Sequence, residues 1–245
     1  MMTPGSAVLA TLQQKFGERL QTEVELTRYT SARVGGPAEM LLVAKSGGEL
    51  AEMVSALWAL EQPFLILGGG SNVLVADAGV RGVVLLNRAR HVRFSEHADC
   101  PTVWAESGAN FGLLARQAAA RGLSGLEWAA GIPGTLGGAV VGNAGAFGAD
   151  LATNLVVAEI LHRIPAMEAS SYPAGRREKW AREHFGYSYR SSVLKSGAMT
   201  AVVLSAKLAL ERSTAEAVAA RIDEHTAIRH RPLRWSSSSP VSSSS

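Results

Sequence analysis

The sequence predicts an α+β protein built in two lobes, and three observations carry that prediction. Helix-spaced and strand-like apolar runs alternate along the chain. Each half holds one glycine-dense loop, Gly68–Asn72 in the first and Gly131–Gly148 in the second. The chain has 245 residues, 47% hydrophobic and 18% charged, which suits a soluble globular protein with one or two cores.

The elements follow in order. Ala7 to Leu20 places Val8, Leu9, Leu12, Phe16 and Leu20 near helical spacing. Met40 to Ala44 reads as a strand, and Glu49 to Leu60 as a helix with Leu50, Met53, Val54 and Leu57 on one face. Phe64 to Leu67 is a short apolar run between Pro63 and Gly68, the mark of a buried strand. A second strand is expected after the glycine loop, toward Val75, and another at Val83–Leu86. Val92 to Ala105 reads as further strands, and Phe111 to Arg121 as a helix closed by Gly122 at its C′ position. Leu155–Leu161 and Thr200–Leu210 complete the strands. Thr214 to Arg229 is a helix with Ser213 or Thr214 as its cap. From Trp235 the chain turns serine-rich and low in complexity, a composition that cannot pack a core and is expected to be disordered. Residues 1–90 are thus read as one lobe, 91–212 as a second, and 213–245 as a closing helix with its tail.

Charge and cysteine content narrow the function. A formal charge of +3 is too small to argue for nucleic acid, and the mild positive balance suits an anionic ligand. A single cysteine, Cys100, excludes an intrachain disulfide and allows a reducing compartment. No apolar run approaches membrane-spanning length, and Met-Met-Thr-Pro-Gly has no signal-peptide character, so a cytoplasmic location is expected. The six histidines have no metal-ligand spacing.

The glycine loops point to a ligand. Gly131–Gly148 carries one hydroxyl residue and no charge, unlike a flexible linker. Glycine at this density lets amides approach a ligand and form an anion-binding concavity, although tight turns between buried strands are the plain alternative. In Gly68-Gly-Gly-Ser-Asn72, Ser71 and Asn72 either bond a diphosphate or cap their own loop. Neither loop is a Rossmann fingerprint or a P-loop: Val73 stands at the third glycine position, and no Gly-Lys-Ser/Thr follows. Two facing loops of this kind are what a dinucleotide requires.

Together, LILGGGSNVLV (65–75) and GIPGTLGGAVVGNAGAFG (131–148) resemble the flavin-binding core of the UDP-N-acetylenolpyruvoylglucosamine reductase family. Three further segments match in order: Tyr29-Thr-Ser-Ala-Arg-Val-Gly-Gly-Pro-Ala38, Gly122-Leu-Ser-Gly-Leu-Glu127 and Tyr187-Ser-Tyr-Arg-Ser-Ser-Val-Leu194. The resemblance runs from about Leu26 to about Leu210. It implies a two-lobed FAD-binding fold of the vanillyl-alcohol oxidase type. It also implies reduction of UDP-N-acetylglucosamine enolpyruvate to UDP-N-acetylmuramate with NADPH, in peptidoglycan precursor synthesis. NADPH and the sugar nucleotide would use one face of the flavin in turn. Neither loop contains His or Cys, which favours non-covalent FAD.

The same resemblance assigns the site. Gly68, Gly69, Gly70, Ser71, Asn72, Gly131, Ile132, Pro133, Gly134, Gly137, Gly138, Asn143 and Gly145 are expected to hold the cofactor, with Asn143 facing the flavin or forming an Asx-turn. Arg190 is expected to be catalytic, because a fixed guanidinium grips a carboxylate with two donors and steadies its developing charge. Tyr189 reads as a half-buried strand tyrosine, Ser191 as structural, Ser192 as orienting the site or ending a strand, and Glu127 as a partner of nearby amides. In the family, the segment like Arg229-His-Arg-Pro-Leu-Arg leads into a third domain bearing a proton-donating serine and an assisting glutamate. Here a serine run follows, and no catalytic role passes to its serines. The alternative reading is therefore a flavin-binding remnant without turnover.

Overall fold

The computed structural model describes residues 4–96, 99–163 and 175–230, so the serine-rich tail lies outside the described residues. Its first sheet holds β1 (Leu20–Glu25), β2 (Pro37–Ala44), β3 (Phe64–Leu67) and β4 (Val80–Asn87), in the order β1-β2-β4-β3. Strands β2, β4 and β3 run parallel, and β1 is antiparallel to β2. Parallel neighbours need a long crossover, and α2 (Gly47–Ala59) supplies it between β2 and β3. Ser46 caps α2 by accepting the Glu49 amide at 3.2 Å, while Glu49 reaches back to the amide of Lys45 at 2.8 Å.

Five antiparallel strands form the second sheet: β5 (Val92–Ser95), β6 (Thr102–Glu106), β10 (Leu155–Arg163), β11 (Gly175–Trp180) and β12 (Ala201–Ala209), in the order β11-β10-β12-β6-β5. Two small ribbons accompany it, β7 (Leu123–Ser124) with β13 (Glu211–Arg212), and β8 (Gly145–Ala146) with β9 (Ala149–Asp150). The remaining helices are α1 (Pro4–Phe16), α3 (Phe111–Ala119), α4 (Leu136–Gly142), α5 (Leu151–Asn154) and α6 (Ala215–His230).

Three cores hold these layers. Leu50, Met53, Val54 and Leu57 of α2 pack with Leu12 of α1, Leu42 and Leu85 of the first sheet, and Leu161 and Leu204 of the second. The opposite face of the first sheet buries Leu26, Leu41, Leu67 and Val84. Burial on both faces explains why β2 and β4 read as continuous apolar runs. The third core gathers Phe111, Leu114, Trp128, Leu136, Val140, Phe185 and Leu208. Polar bonds lock the two sheets together: Glu106 of β6 accepts the amide of Gly47 at 2.7 Å, and Asn87 of β4 donates to Ser107 at 2.8 Å.

Several sequence expectations change. The first helix stops at Phe16, because Gly17 takes φ +53°, and Leu20 opens β1. Strands β1 and β11 escape the sequence pattern because both are sheet edges rich in polar side chains. No strand forms toward Val75: Leu74 is exposed and Val75 buried, so the alternation is real, but among the described residues the segment joins no sheet. Helix α4 lies inside the second glycine loop, where no helix was expected.

Candidate functional site

The two glycine loops line one cleft of about 750 Å³. The first loop begins where parallel strand β3 ends, the usual ligand-binding end of such strands. Gly70 takes φ +63°, and a side chain there would collide with the carbonyl of Tyr29. The Gly70 carbonyl accepts the amide of Ser31 at 2.9 Å, which ties the loop to the 29–31 turn. A Cβ on Gly68 would lie 2.6 Å from the Thr135 hydroxyl, and one on Gly69 would lie 3.2 Å from Cα of Gly134. The crevice therefore depends on Gly68 and Gly69 presenting bare backbone to the Thr135 side chain and to Gly134. Among the described residues, the amides of Gly69, Gly70, Ser71 and Asn72 donate to no protein acceptor. Four such donors in one loop form a cradle for an anion such as a diphosphate. The Ser71 hydroxyl makes only long contacts, 3.4 Å to Ser31 and 3.5 Å to the Gly69 carbonyl. Behind the loop, Arg88 donates to the Gly68 carbonyl at 3.2 Å.

The second loop is used differently. Gly134 turns the chain with φ +116°, and α4 then starts with its first amides already satisfied: Leu136 donates to Ala109 and Gly137 to Ser107. A Cβ on Gly137 would stand 2.9 Å from that of Ser107, so this glycine packs α4 against the protein and does not reach the cleft. Asn143 closes α4 in the left-handed region at φ 44°. Its amide donates to Asp150 at 3.0 Å and to the Ser188 carbonyl at 3.2 Å, and its carbonyl accepts the Ala152 amide at 3.1 Å. With these partners and 4% exposure, Asn143 is a buried structural hub off the cleft wall. The fold brings the other expected residues to that wall: Gly68, Gly69, Gly70, Ser71, Asn72, Gly131, Ile132, Pro133, Gly134, Gly138, Gly145 and Arg190.

Cations rim one part of the cleft. Arg190 sits in a two-residue turn closed by reciprocal bonds between Ser188 and Ser191, and its guanidinium donates to the Gly145 carbonyl at 2.6 Å. Lys195 lines the same wall and donates to the Arg190 carbonyl at 2.6 Å. Two side chains bind this segment to the end of α4: Tyr187 donates to the Val140 carbonyl at 2.9 Å and Ser192 to that of Val141 at 2.6 Å. Burial, with a smaller contribution from Asp150, pushes the Tyr187 phenol far above its usual range, so it stays a donor. Tyr189 is not a half-buried strand tyrosine; at 92% exposure it stands on the turn in solvent.

Arg229 of α6 completes the rim beside Gly131, with its guanidinium 5.6 Å from the centre of the Phe147 ring. Phe147 in turn stacks on His225 at 4.2 Å. The helix is anchored by Arg221, which donates to Glu127 at 2.9 Å. Glu127 also accepts the Gly125 amide at 2.7 Å and the Ser124 hydroxyl at 2.8 Å. Burial alone would raise its pKa, but the backbone amides, the hydroxyl and Arg221 outweigh it and hold the carboxyl below its usual range. Thr135, Lys195 and Arg229 were not anticipated as cleft residues. Lys195 stands five positions after Arg190, a spacing with no meaning until the turn folds, and Arg229 reaches the cleft only through the docking of α6.

Comparison with known proteins decides the family. An FAD binding domain model matches residues 38–162. The UDP-N-acetylenolpyruvoylglucosamine reductase of Rubrobacter xylanophilus is 40% identical over 221 residues, covering 89% of this chain and 69% of its own length. That of Chloroflexus aggregans is 36% identical over 217 residues, covering 86% and 69%. The chain belongs to the UDP-N-acetylenolpyruvoylglucosamine reductase family. The solved reductase from Thermus caldophilus superposes with a TM-score of 0.67 at 32% identity, over 86% of this chain and 70% of its own. A solvent-stable cholesterol oxidase shares the fold alone, with a TM-score of 0.58 at 16% identity over 78% and 37% of the two chains. The protein is thus a flavoprotein of the oxidoreductase class, and its fold is the two-lobed FAD-binding fold that the resemblance implied. None of its described helices is long and apolar enough to cross a membrane.

Proposed function

We propose that this cleft binds FAD without a covalent link and that the protein reduces UDP-N-acetylglucosamine enolpyruvate to UDP-N-acetylmuramate with NADPH, a cytoplasmic step in peptidoglycan precursor synthesis. The observation that carries this reading is the pairing of four open amides with a cationic rim across one cleft of about 750 Å³. The open amides of Gly69 to Asn72 suit the diphosphate, and the apolar wall formed by Ile132, Pro133 and Ala139 suits a flat ring system. FAD held there supplies hydride transfer from the nicotinamide to the enolpyruvyl double bond. Arg190 grips the substrate carboxylate and stabilises the negative charge that builds on its enolate form. Its bond to the Gly145 carbonyl fixes the guanidinium on the cleft wall before substrate arrives.

The test is NADPH oxidation by the FAD-loaded chain, with and without UDP-N-acetylglucosamine enolpyruvate. Oxidation that depends on the sugar nucleotide supports the proposal; a yellow protein without it would instead be a flavin-binding domain without turnover. Arg190→Ala is expected to keep flavin bound and to lower turnover by about 10²–10³-fold. Turnover equal to the unchanged chain would remove Arg190 from the mechanism.

A further inference from the structure

Arg190 occupies a backbone conformation that its residue type disfavours. It takes φ +55° at the third position of the Ser188–Ser191 turn, while Tyr189 before it keeps a negative φ. A two-residue turn with only its third position left-handed favours Gly or Asn there, because a Cβ crowds the neighbouring peptide. A residue with a side chain persists in that state only when its surroundings over-determine it. Two bonds at Arg190 itself do so. Its guanidinium donates to Gly145, and its carbonyl accepts the Lys195 ammonium at 2.6 Å. The second bond acts on the main chain, and it sets where the side chain starts. Lys195 is placed for this by Ser192, whose hydroxyl accepts the Lys195 amide at 3.2 Å and donates to the end of α4.

We propose that Lys195 is a positioning residue for Arg190: its ammonium holds the carbonyl of the left-handed Arg190 peptide and so keeps the guanidinium on the cleft wall. The proposal rests on the reading that Arg190 receives the substrate carboxylate. Lys195 acts on the sugar nucleotide through Arg190, not by its own contact. Its effect therefore falls on substrate affinity and leaves the cofactor cradle at Gly69–Asn72 untouched.

The experiment is a double-mutant cycle on the FAD-loaded chain, titrated with UDP-N-acetylglucosamine enolpyruvate and read from the flavin absorbance spectrum. Lys195→Met keeps the length of the side chain and removes its donors. It is expected to weaken binding by about ten- to a hundredfold, the scale of one lost charge-assisted hydrogen bond, with flavin occupancy unchanged. Lys195→Arg restores a donor and is expected to recover most of the affinity. In the Arg190→Ala background, Lys195→Met is expected to add no further loss. Equal losses in both backgrounds would make Lys195 a direct substrate contact and overturn the positioning role, as would wild-type affinity in Lys195→Met. Absence of any titration by the unchanged chain would instead overturn the substrate reading on which the proposal rests.

Discussion

Two glycine-rich loops use their bare backbone differently. In Gly68–Asn72 the amides of Gly69 to Asn72 have no protein acceptor among the described residues, while the bare Cα of Gly70 packs on the Tyr29 carbonyl. In Gly131–Gly148 much of the backbone is turned against the protein: Gly137 lies on Ser107, Gly145 lies under Asp150, and Asn143 is consumed by three internal hydrogen bonds. The first loop leaves its amides open to the cleft. The second is a short helix and a hairpin that hold the cleft's opposite wall in place. Glycine density alone marks close approach, but not whether the approaching group is ligand or protein.

The comparison can be broken most sharply at Gly69. Gly69→Val would thrust branches into the crevice opposite Gly134 and is expected to weaken flavin binding by at least about a hundredfold, a loss of some 2.7 kcal/mol. The checks are flavin content after purification and titration of the apo chain; full occupancy would show that the loop is not the cradle. Gly137→Ala is expected to do the reverse. Its Cβ would press on Ser107, costing about 1–3 kcal/mol of stability by overpacking, seen as a lower Tm in the apo chain, with flavin affinity of the folded protein unchanged. An affinity loss without a stability loss would return Gly137 to the ligand side.

A smaller effect is expected at Glu127, which anchors α6 and thereby Arg229 at the rim. A carboxyl held below its usual pKa stabilises the fold at pH values above its unfolded pKa, and that contribution disappears as pH falls through the lower folded value. Glu127→Gln should therefore lower Tm at pH 7, and the gap to the unchanged chain should narrow as the pH falls below the ordinary glutamate value of about 4.3. A gap that stays constant with pH would mean that the charge on Glu127 does nothing for the fold. The smallest change sits at Gly142, at the end of α4, where an added Cβ meets nothing within 4 Å. Gly142→Ala should raise the apo Tm through helix propensity, worth up to about 1 kcal/mol. Because Gly142 lines the cleft, the gain should shrink with FAD bound; a gain of equal size in both states would place FAD away from this helix.

How much was legible depended on where each signal is stored. Helices α2 and α3 and strands β4, β10 and β12 declared themselves, because each buries an apolar face whose period is local. Strand β3 was marked by its Pro63 and Gly68 bounds although it is a sheet edge with Leu65 exposed, and α6, which buries only Val218, was marked by its N-terminal cap. The cap of α6 is equally local, with Thr214 accepting the amide of Ala217, whereas the Ser46 cap of α2 was not read from the sequence. The edge strands β1 and β11 stayed hidden because one partner strand and solvent ask for no apolar pattern. Helix α4 was missed because glycine is a poor helix former; its partners at Ala109 and Ser107 come from a turn about 30 residues earlier.

The chain alone thus determined that two glycine-dense loops exist, that Tyr187–Leu194 carries Arg190 in a motif like that of the family, and that the whole resembles a flavin reductase. Those properties are written in residue type and order. Only the tertiary structure decided which glycines face the cleft, that Asn143 is spent inside the protein, and that Lys195 and Arg229 join Arg190 at the rim. The reason is physical. A bare amide or a cation takes its role from what stands within about 3 Å of it, and here those neighbours come from the Tyr29 turn, the Ser107 turn and the last helix.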